Sequence, residues 1–475
     1  MAITDANLGY FYGLNEPATR EALRNYFSPY LNDVRNNSSK LASMIPSTTE
    51  HVAARRIIEP VKFGRNPNAF GFTAEEGKFA DPSRNDARHY SYRTRNMNAR
   101  LLFSGALIRK FGMDETRWFD VVAEGISDMR DDIAVDMNRI LHNDGSGRLA
   151  EVGTGSAGVN LNLQLPGISG VGGIESPTTC STAPAYWFRR MTDNSPAGMR
   201  IAVVSSNFAT IRGITTISSI TNDSTIVTAA DLVAAGAIQG DWIVKASTTD
   251  ATATGLPNLA FREEPMGIAG MFSDAGVADG NGASGLEQSG ADDKATITPT
   301  LFQGLNATGT FPFNQCRVFS NSNVLRDPSS ELIITVLALL EEDNNVKVDM
   351  LLSGYREWLR FNELELQKKD YQNITKLESG YSTVGIVTPM GMVPWEIDRD
   401  CYRNRIYCIG FETGGFRQYV EEPWRPADYQ GAPQWIRLQD DDKYQAPWVT
   451  DFNFGVGCRQ KLGGLITDIA GTTVA

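Results

Sequence analysis

Apolar positions along the 475 residues follow three rhythms, and the strongest is helical. Trp118, Val122, Ile126, Met129, Ile133, Met137 and Ile140 recur at steps of four, four, three, four, four and three. That spacing lays one apolar stripe along an α-helix. It predicts a helix over 115–142, which at 1.5 Å per residue is about 42 Å long. The other faces carry Glu115, Asp120, Glu124, Asp128, Asp131, Asp132 and Asp136 against three arginines, and Asn143-Asp144-Gly145 stops it. Helices of compact enzyme domains run about 8–20 residues, so a long helix with an acidic outer side points away from that class.

The second rhythm has a period of two. Ile57, Glu59, Val61 and Phe63 alternate on one side of a polar stretch, and Tyr90, Tyr92 and Thr94 on the other. Between them, 64–86 is rich in Gly, Pro, Asn and Asp. Two strands joined by a long polar tip make an extended hairpin. The tip holds too few apolar residues to fold on its own, so it is expected to rest on another surface. Val159, Leu161, Leu163 and Leu165 alternate in the same way, and short Ile/Val/Thr runs recur from 201 to 246. These predict a small antiparallel barrel or sandwich.

The third rhythm is mixed. Asp327-Pro328-Ser329-Ser330 opens a helix running through Leu340; Val346, Val348 and Met350 mark a strand; a helix begins near Ser353, and 383–407 is strand-like. The first 50 residues, with a short helical piece from Pro17 to Phe27, read as an arm, Pro suiting a first helical turn because its missing N–H would have no partner there. Residues 274–293 read as an exposed loop.

Charge sharpens the picture. The chain carries 44 Lys+Arg and 56 Asp+Glu, a net −12. An acidic protein lacks the basic footprint of a general nucleic-acid binder. Yet 55–100 holds ten basic residues against five acidic ones, a local +5. The hairpin is therefore basic in an acidic chain. It reads either as a nucleic-acid contact with interleaved aromatics or as an assembly arm lying on an acidic surface of another copy. The second reading accounts for the acidic helix as well. On it, Arg84, Arg88, Arg93 and Arg95 are the candidate interface residues, facing Glu124, Asp128, Asp131 and Asp132 of a neighbour.

Catalytic chemistry is hard to find. Five cysteines, at 180, 316, 401, 408 and 458, form no Cys-x-x-Cys pair and read as free thiols. Three separated histidines, His51, His89 and His142, supply neither metal-ligand spacing nor a convincing nucleophile triad. Asp440-Asp441-Asp442 reads as a solvated turn. Gly153 to Gly158 and Gly280 to Gly285 both match G-x-G-x-x-G, but dinucleotide binding needs a strand before the glycines and a helix after them. The first match is expected to follow a helix and lead into a strand, the second to sit in a loop. No P-loop or G-x-S-x-G elbow is present. The N-terminus lacks a basic and apolar leader, and the longest apolar run, Leu332 to Leu340, is far short of the roughly 20 residues that span a bilayer. No cofactor, metal site or membrane contact is expected.

The order of parts resembles the major capsid proteins of tailed bacteriophages, which share the Hong Kong 97 fold. Tyr26-Phe27-Ser28-Pro29-Tyr30 and the residues to Pro46 look like the family's N-terminal arm. Phe70-Gly71-Phe72-Thr73-Ala74-Glu75-Glu76-Gly77-Lys78 resembles the tip of its extended E-loop, and Leu101 to Ile108 the return strand into its spine helix. Met137-Asn138-Arg139-Ile140-Leu141-His142 with the following Asn143-Asp144-Gly145 is similar to the end of that helix and its Gly-rich exit.

The resemblance implies an α+β chain of Hong Kong 97 type, with these expected parts: N-terminal arm 1–50; E-loop hairpin 51–100; peripheral domain with spine helix 101–150; start of the axial domain 151–194; inserted β-rich region 195–320; axial domain 321–410; C-terminal peripheral strands 411–475. Gly267 to Phe272 and Phe302 to Leu305 are alternatively assigned to the axial domain. It implies no enzyme, but a protein of the virion, built in the host cytoplasm, whose hexamers and pentamers close an icosahedral shell around double-stranded DNA without reading its sequence. Little precedes the arm, so a separate scaffolding protein is expected, with a portal protein and a decoration protein as further partners. Lys62 and Lys78 are the only loop lysines, and no partner signature for covalent crosslinking accompanies them. The alternatives are an encapsulin-like compartment shell and, in a different class, a multidomain hydrolase with an unmarked carboxylate pair.

Overall fold

A computed structural model describes residues 40–62, 87–104, most of 125–164, 200–205, 211–222, 225–246, 264–272, 301–302, 305–306, 314–321, 324–366, 385–388, 391–398, 401–402, 404–426, 436–437 and 442–471. The arm before residue 40, the tip 63–86 and the first part of the predicted long helix lie outside them.

The basic hairpin forms from Arg56–Lys62 and Ala87–Arg93, antiparallel, with Ile57 opposite Tyr92 and Glu59 opposite Tyr90. Ile57, Glu59, Val61, Tyr90, Tyr92 and Thr94 are buried, while Arg56, Ile58 and Pro60 are exposed. The period-two pattern thus sorts the two faces as strand geometry requires. Past Thr94 the second strand continues as Arg95–Ser104, which pairs along its whole length with Lys443–Gly455. Arg417–Pro426 pairs on the other side of that long strand, and Ser47–Thr48 and Ile436–Arg437 complete a five-stranded sheet. Only Thr94 separates the hairpin strand from the sheet strand that follows it. Tyr92 packs edge-on against Tyr419. A Cβ at Gly455 would lie 1.6 Å from the Tyr92 hydroxyl, so only glycine lets that ring settle on the sheet.

Residues 136–142 are helical, as are Gly125, Ser127, Met129, Arg130, Ile133 and Ala134. Met129, Ile133, Met137 and Leu141, three of them from the predicted stripe, are buried in the same core as Tyr90, Tyr92, Trp448 and Phe452. The helix thus packs beneath the hairpin root and the sheet.

Six strands close a barrel: Thr225–Thr228, Asn160–Gln164, Arg148–Val152, Trp242–Lys245, Arg200–Val204 and Ile211–Asn222, in that spatial order. Leu149, Leu161, Leu163, Ile201, Ile217 and Ile243 are among the side chains filling it. Two of its strands, at 148–164, precede the 195–320 segment read above as the β-rich insertion. Gly153 to Gly158 accordingly falls between two strands of the barrel, without the helix that a dinucleotide site needs.

The last sheet has six strands in the order Arg317–Phe319, Gly463–Ile466, Ile406–Ile409, Met350–Ser353, Gly391–Ile397, Gly385–Thr388. Gly463–Ile466 comes from the 411–475 segment, whose other strands lie in the five-stranded sheet. Helix Ser330–Asn344 packs on the six-stranded sheet through Ile333, Val336, Leu337 and Leu340. Ser329 caps its start by accepting a hydrogen bond from the Leu332 amide at 3.2 Å, and Asn345 ends it in the left-handed region. The expected strand at 346–350 begins only at Met350, and the helix near Ser353 is Tyr355–Leu366.

Tyr407 is fully buried in this sheet, and burial pushes its phenol up to about 12. An unfolded tyrosine ionises near 10. The stability tied to the neutral phenol is therefore whole below pH 10 and is lost as pH rises from 10 to 12. About 2–3 kcal/mol should disappear over that window. Tyr90 and Tyr419 are shifted up by burial too, so Tyr407→Phe should make the loss in urea titrations between pH 9 and 12 shallower without abolishing it; an unchanged slope would contradict the assignment.

Candidate functional site

The hairpin root is held to the five-stranded sheet by directed polar contacts. One oxygen of Glu421 accepts from the Arg55 amide at 2.8 Å, and the other from the Thr94 hydroxyl at 2.8 Å. A single carboxylate thus grips both legs of the hairpin. The Asn453 side-chain amide donates to the Arg93 carbonyl at 2.6 Å, and the Asn96 amide to Asp451 at 2.8 Å. Together with the buried Tyr90 and Tyr92, these contacts fix the direction in which the hairpin leaves the body.

Of the predicted interface residues, Arg88, Arg93 and Arg95 lie on this strand path. Arg88 is exposed; Arg93 and Arg95 are half-buried at the root. Arg93 stands opposite Arg56, so two guanidinium groups share the outer face. Like charges directly across a strand pair disfavour it unless acid lies nearby. Arg84, Glu124, Asp128, Asp131 and Asp132 lie outside the described residues. Asp136, the last acid of the predicted acidic face, sits 3.9 Å from Lys245 of the barrel and 3.7 Å from Arg139.

Sequence reading missed a buried polar junction at the end of the long helix. Arg139 is 4% exposed and bonds Glu264 through two nitrogens, at 2.6 and 3.1 Å. Burial opposes its charge, but Glu264, and then Asp136, hold the guanidinium protonated above its ordinary range. Asn143 donates to the same carboxylate at 3.3 Å and accepts from the Tyr402 hydroxyl at 3.1 Å. Asn138 donates to Asp398 at 3.1 Å, and His142 lies 3.4 Å from that carboxylate. The helix end is thereby locked to the segments flanking the six-stranded sheet. A Cβ at Gly267 would meet the carbonyls of Ile140 and Leu141 at 2.4 and 2.3 Å, so glycine is what lets residue 267 press against the helix terminus. Gly267→Ala should lower the urea midpoint measurably, and an unchanged midpoint would show that this contact gives way.

A second lock is Arg459, wholly buried. Its three nitrogens donate to the carbonyls of Met271, Asn314 and Gly270 at 2.9, 3.1 and 3.3 Å, and Tyr90 of the hairpin donates to the Asn314 side chain at 2.9 Å. No pattern in the sequence marks these residues, since the partners stand 121 to 260 positions apart.

Among the described residues, no group of three His, Cys, Asp or Glu side chains is placed to hold a metal ion. Cys316, Cys401 and Cys408 are buried free thiols, and burial pushes the Cys408 thiol well up. No described helix is long and apolar enough to cross a membrane.

The chain matches the capsid of cyanophage A-1(L) with a TM-score of 0.42 and 10% identity over 93% of each chain. It matches the capsid of the native GTA particle with a TM-score of 0.40 and 9% identity over 91% of each. An encapsulin complex from Synechococcus elongatus matches partially, with a TM-score of 0.25 and 10% identity over 36% of this chain and 62% of that one. No protein-family model matches the chain, and no curated protein does.

Proposed function

We propose that the chain is the major capsid protein of a tailed bacteriophage. Its hexamers and pentamers close an icosahedral head around double-stranded DNA, and the hairpin of each copy lies over the peripheral part of its neighbour. The observation that carries this reading is that the hairpin's second strand passes through the single residue Thr94 into the five-stranded sheet, clamped at its root by Glu421 and backed by the helical Met129, Ile133, Met137 and Leu141. A lever rooted in a sheet transmits load from a neighbour into the body of the subunit. No single contact need be strong, since an exposed ion pair contributes about 0–1 kcal/mol and each recurs at every interface of the shell. The acidic composition suits a container, because a wall that gripped the polyanion would hinder its packing and release.

A separate scaffolding protein, a portal and a decoration protein are the expected companions, and the host cytoplasm the place of assembly. Expression with a scaffolding partner, followed by negative-stain imaging, tests the reading. Closed shells or capsomers support it. Shells that enclose a protein and no DNA in the native particle would indicate the compartment alternative. A stable monomer that hydrolyses glycans would overturn it.

A further inference from the structure

In the five-stranded sheet, strand Arg417–Pro426 is paired along one side with Lys443–Gly455. On its other side Ser47–Thr48 pairs only with Gln418 and Tyr419, and no described strand pairs beyond them. A row of open backbone donors and acceptors is a template for a strand of another chain. Three features stand against such pairing here. Register shifts lie between Val420 and Glu422 and between Glu422 and Arg425, so the edge is not regular. Pro423, exposed in the middle of the stretch, has no N–H to donate. The third feature is a strap.

Residues 49–55 continue from Ser47–Thr48, and Val52–Ala53 lies beside Arg417–Pro426. The strap turns at Ala54 and Arg55, between the paired residues Ala53 and Arg56. These two and His51 have positive φ, at 51, 63 and 62°. Two-residue turns with positive φ at both centres favour Asn and Gly, because other side chains crowd the backbone there. Ala and Arg thus hold this shape against local preference. Tertiary bonds keep them in it. Glu421, within the open stretch, accepts from the Arg55 amide at 2.8 Å, and the Arg55 carbonyl accepts from the Thr94 amide at 3.1 Å.

A strained turn fastened to the edge strand itself, on a stretch already carrying a proline and two register shifts, is an arrangement that keeps an edge shut. We infer that the 49–55 strap is an autoinhibitory cover, which prevents strand 420–426 of one copy from pairing with the same strand of a second copy. An edge freed of it would pair with its own counterpart about a two-fold axis, and the product would be a dimer. The inference does not depend on the capsid reading above.

Two variants that differ only at residue 55 test it. Arg55→Pro removes the N–H that Glu421 holds and forbids a positive φ, so it opens the strap. Arg55→Gly keeps the N–H and eases the turn, so it leaves the strap closed. With Pro423→Val in both, sedimentation velocity of the unassembled chain should show a dimer for Arg55→Pro/Pro423→Val and none for Arg55→Gly/Pro423→Val. Amide exchange across 420–426 should slow at least about tenfold as that dimer forms. A folded proline variant that gives no dimer, or an equal dimer from the glycine variant, would overturn the inference. If the proline variant does not fold, Glu421→Ala/Pro423→Val frees the strap from its other end and is read in the same way. In the unsubstituted chain, an Arg55 amide that exchanges as fast as an unbonded one would overturn it whatever the variants do. Capsomers or shells from the unsubstituted chain bear on the capsid reading alone.

Discussion

Glu264→Ala is expected to lower the unfolding free energy by about 3–5 kcal/mol, the usual result of removing one partner of a buried ion pair. Arg139 is 4% exposed, its guanidinium donates two hydrogen bonds to that one carboxylate, and Asn143 donates to the same group. After the substitution a buried cation would remain beside Asp136 alone, at 3.7 Å from its Nε. Since a domain has only about 5–15 kcal/mol to lose, the variant should unfold at much lower urea. The double variant Arg139→Met/Glu264→Met should recover most of the loss, because paired apolar replacements remove both desolvation costs. A Glu264→Ala midpoint shifted by less than about 1 kcal/mol would show that water or another group reaches the guanidinium.

Arg93→Glu/Arg95→Glu carries the second large effect, on assembly. Both residues are half-buried where the hairpin joins the sheet, on the path proposed to press against an acidic neighbour. Reversal turns each attraction into a repulsion, and the change recurs at every copy-to-copy contact. Shell yield should fall at least about tenfold, which corresponds to 1.4 kcal/mol per association step. The defect should be deepest at low salt, where charges are screened only beyond about 30 Å at 0.01 M, and milder at 1 M, where the screening length is about 3 Å. The urea midpoint of the unassembled chain serves as the control for folding. Normal shells from a folded double variant at low salt would refute an electrostatic role for the hairpin.

These two cases show what the sequence makes legible. Ile57, Glu59, Val61, Tyr90, Tyr92 and Thr94 alternate because a hairpin with one buried face must, and Met129, Ile133 and Met137 recur at helical spacing because one side of the helix is covered. Local periodicity reports which face is buried, and both elements followed from it. The barrel core was readable in the same way from Leu161 and Leu163, but its extent was not. Which strands close a barrel is decided by pairings such as Trp242 with Glu151, across some 90 positions. The locks around Glu264 and Arg459 were invisible for a related reason. A lone Glu264, Arg139 or Arg459 adds nothing to a periodic pattern, and its burial depends on segments that meet only in the folded chain. Ser329 at its helix start was readable because capping is local; Gly463–Ile466 joining the far sheet was not.

A density map of assembled particles at side-chain resolution tests the central claim most directly. It should show the hairpin of each copy lying across the adjacent subunit, with Arg93 or Arg95 within about 4 Å of a carboxylate on the neighbour's long helix or five-stranded sheet. Hairpins folded entirely onto their own subunits in a closed shell would contradict the account.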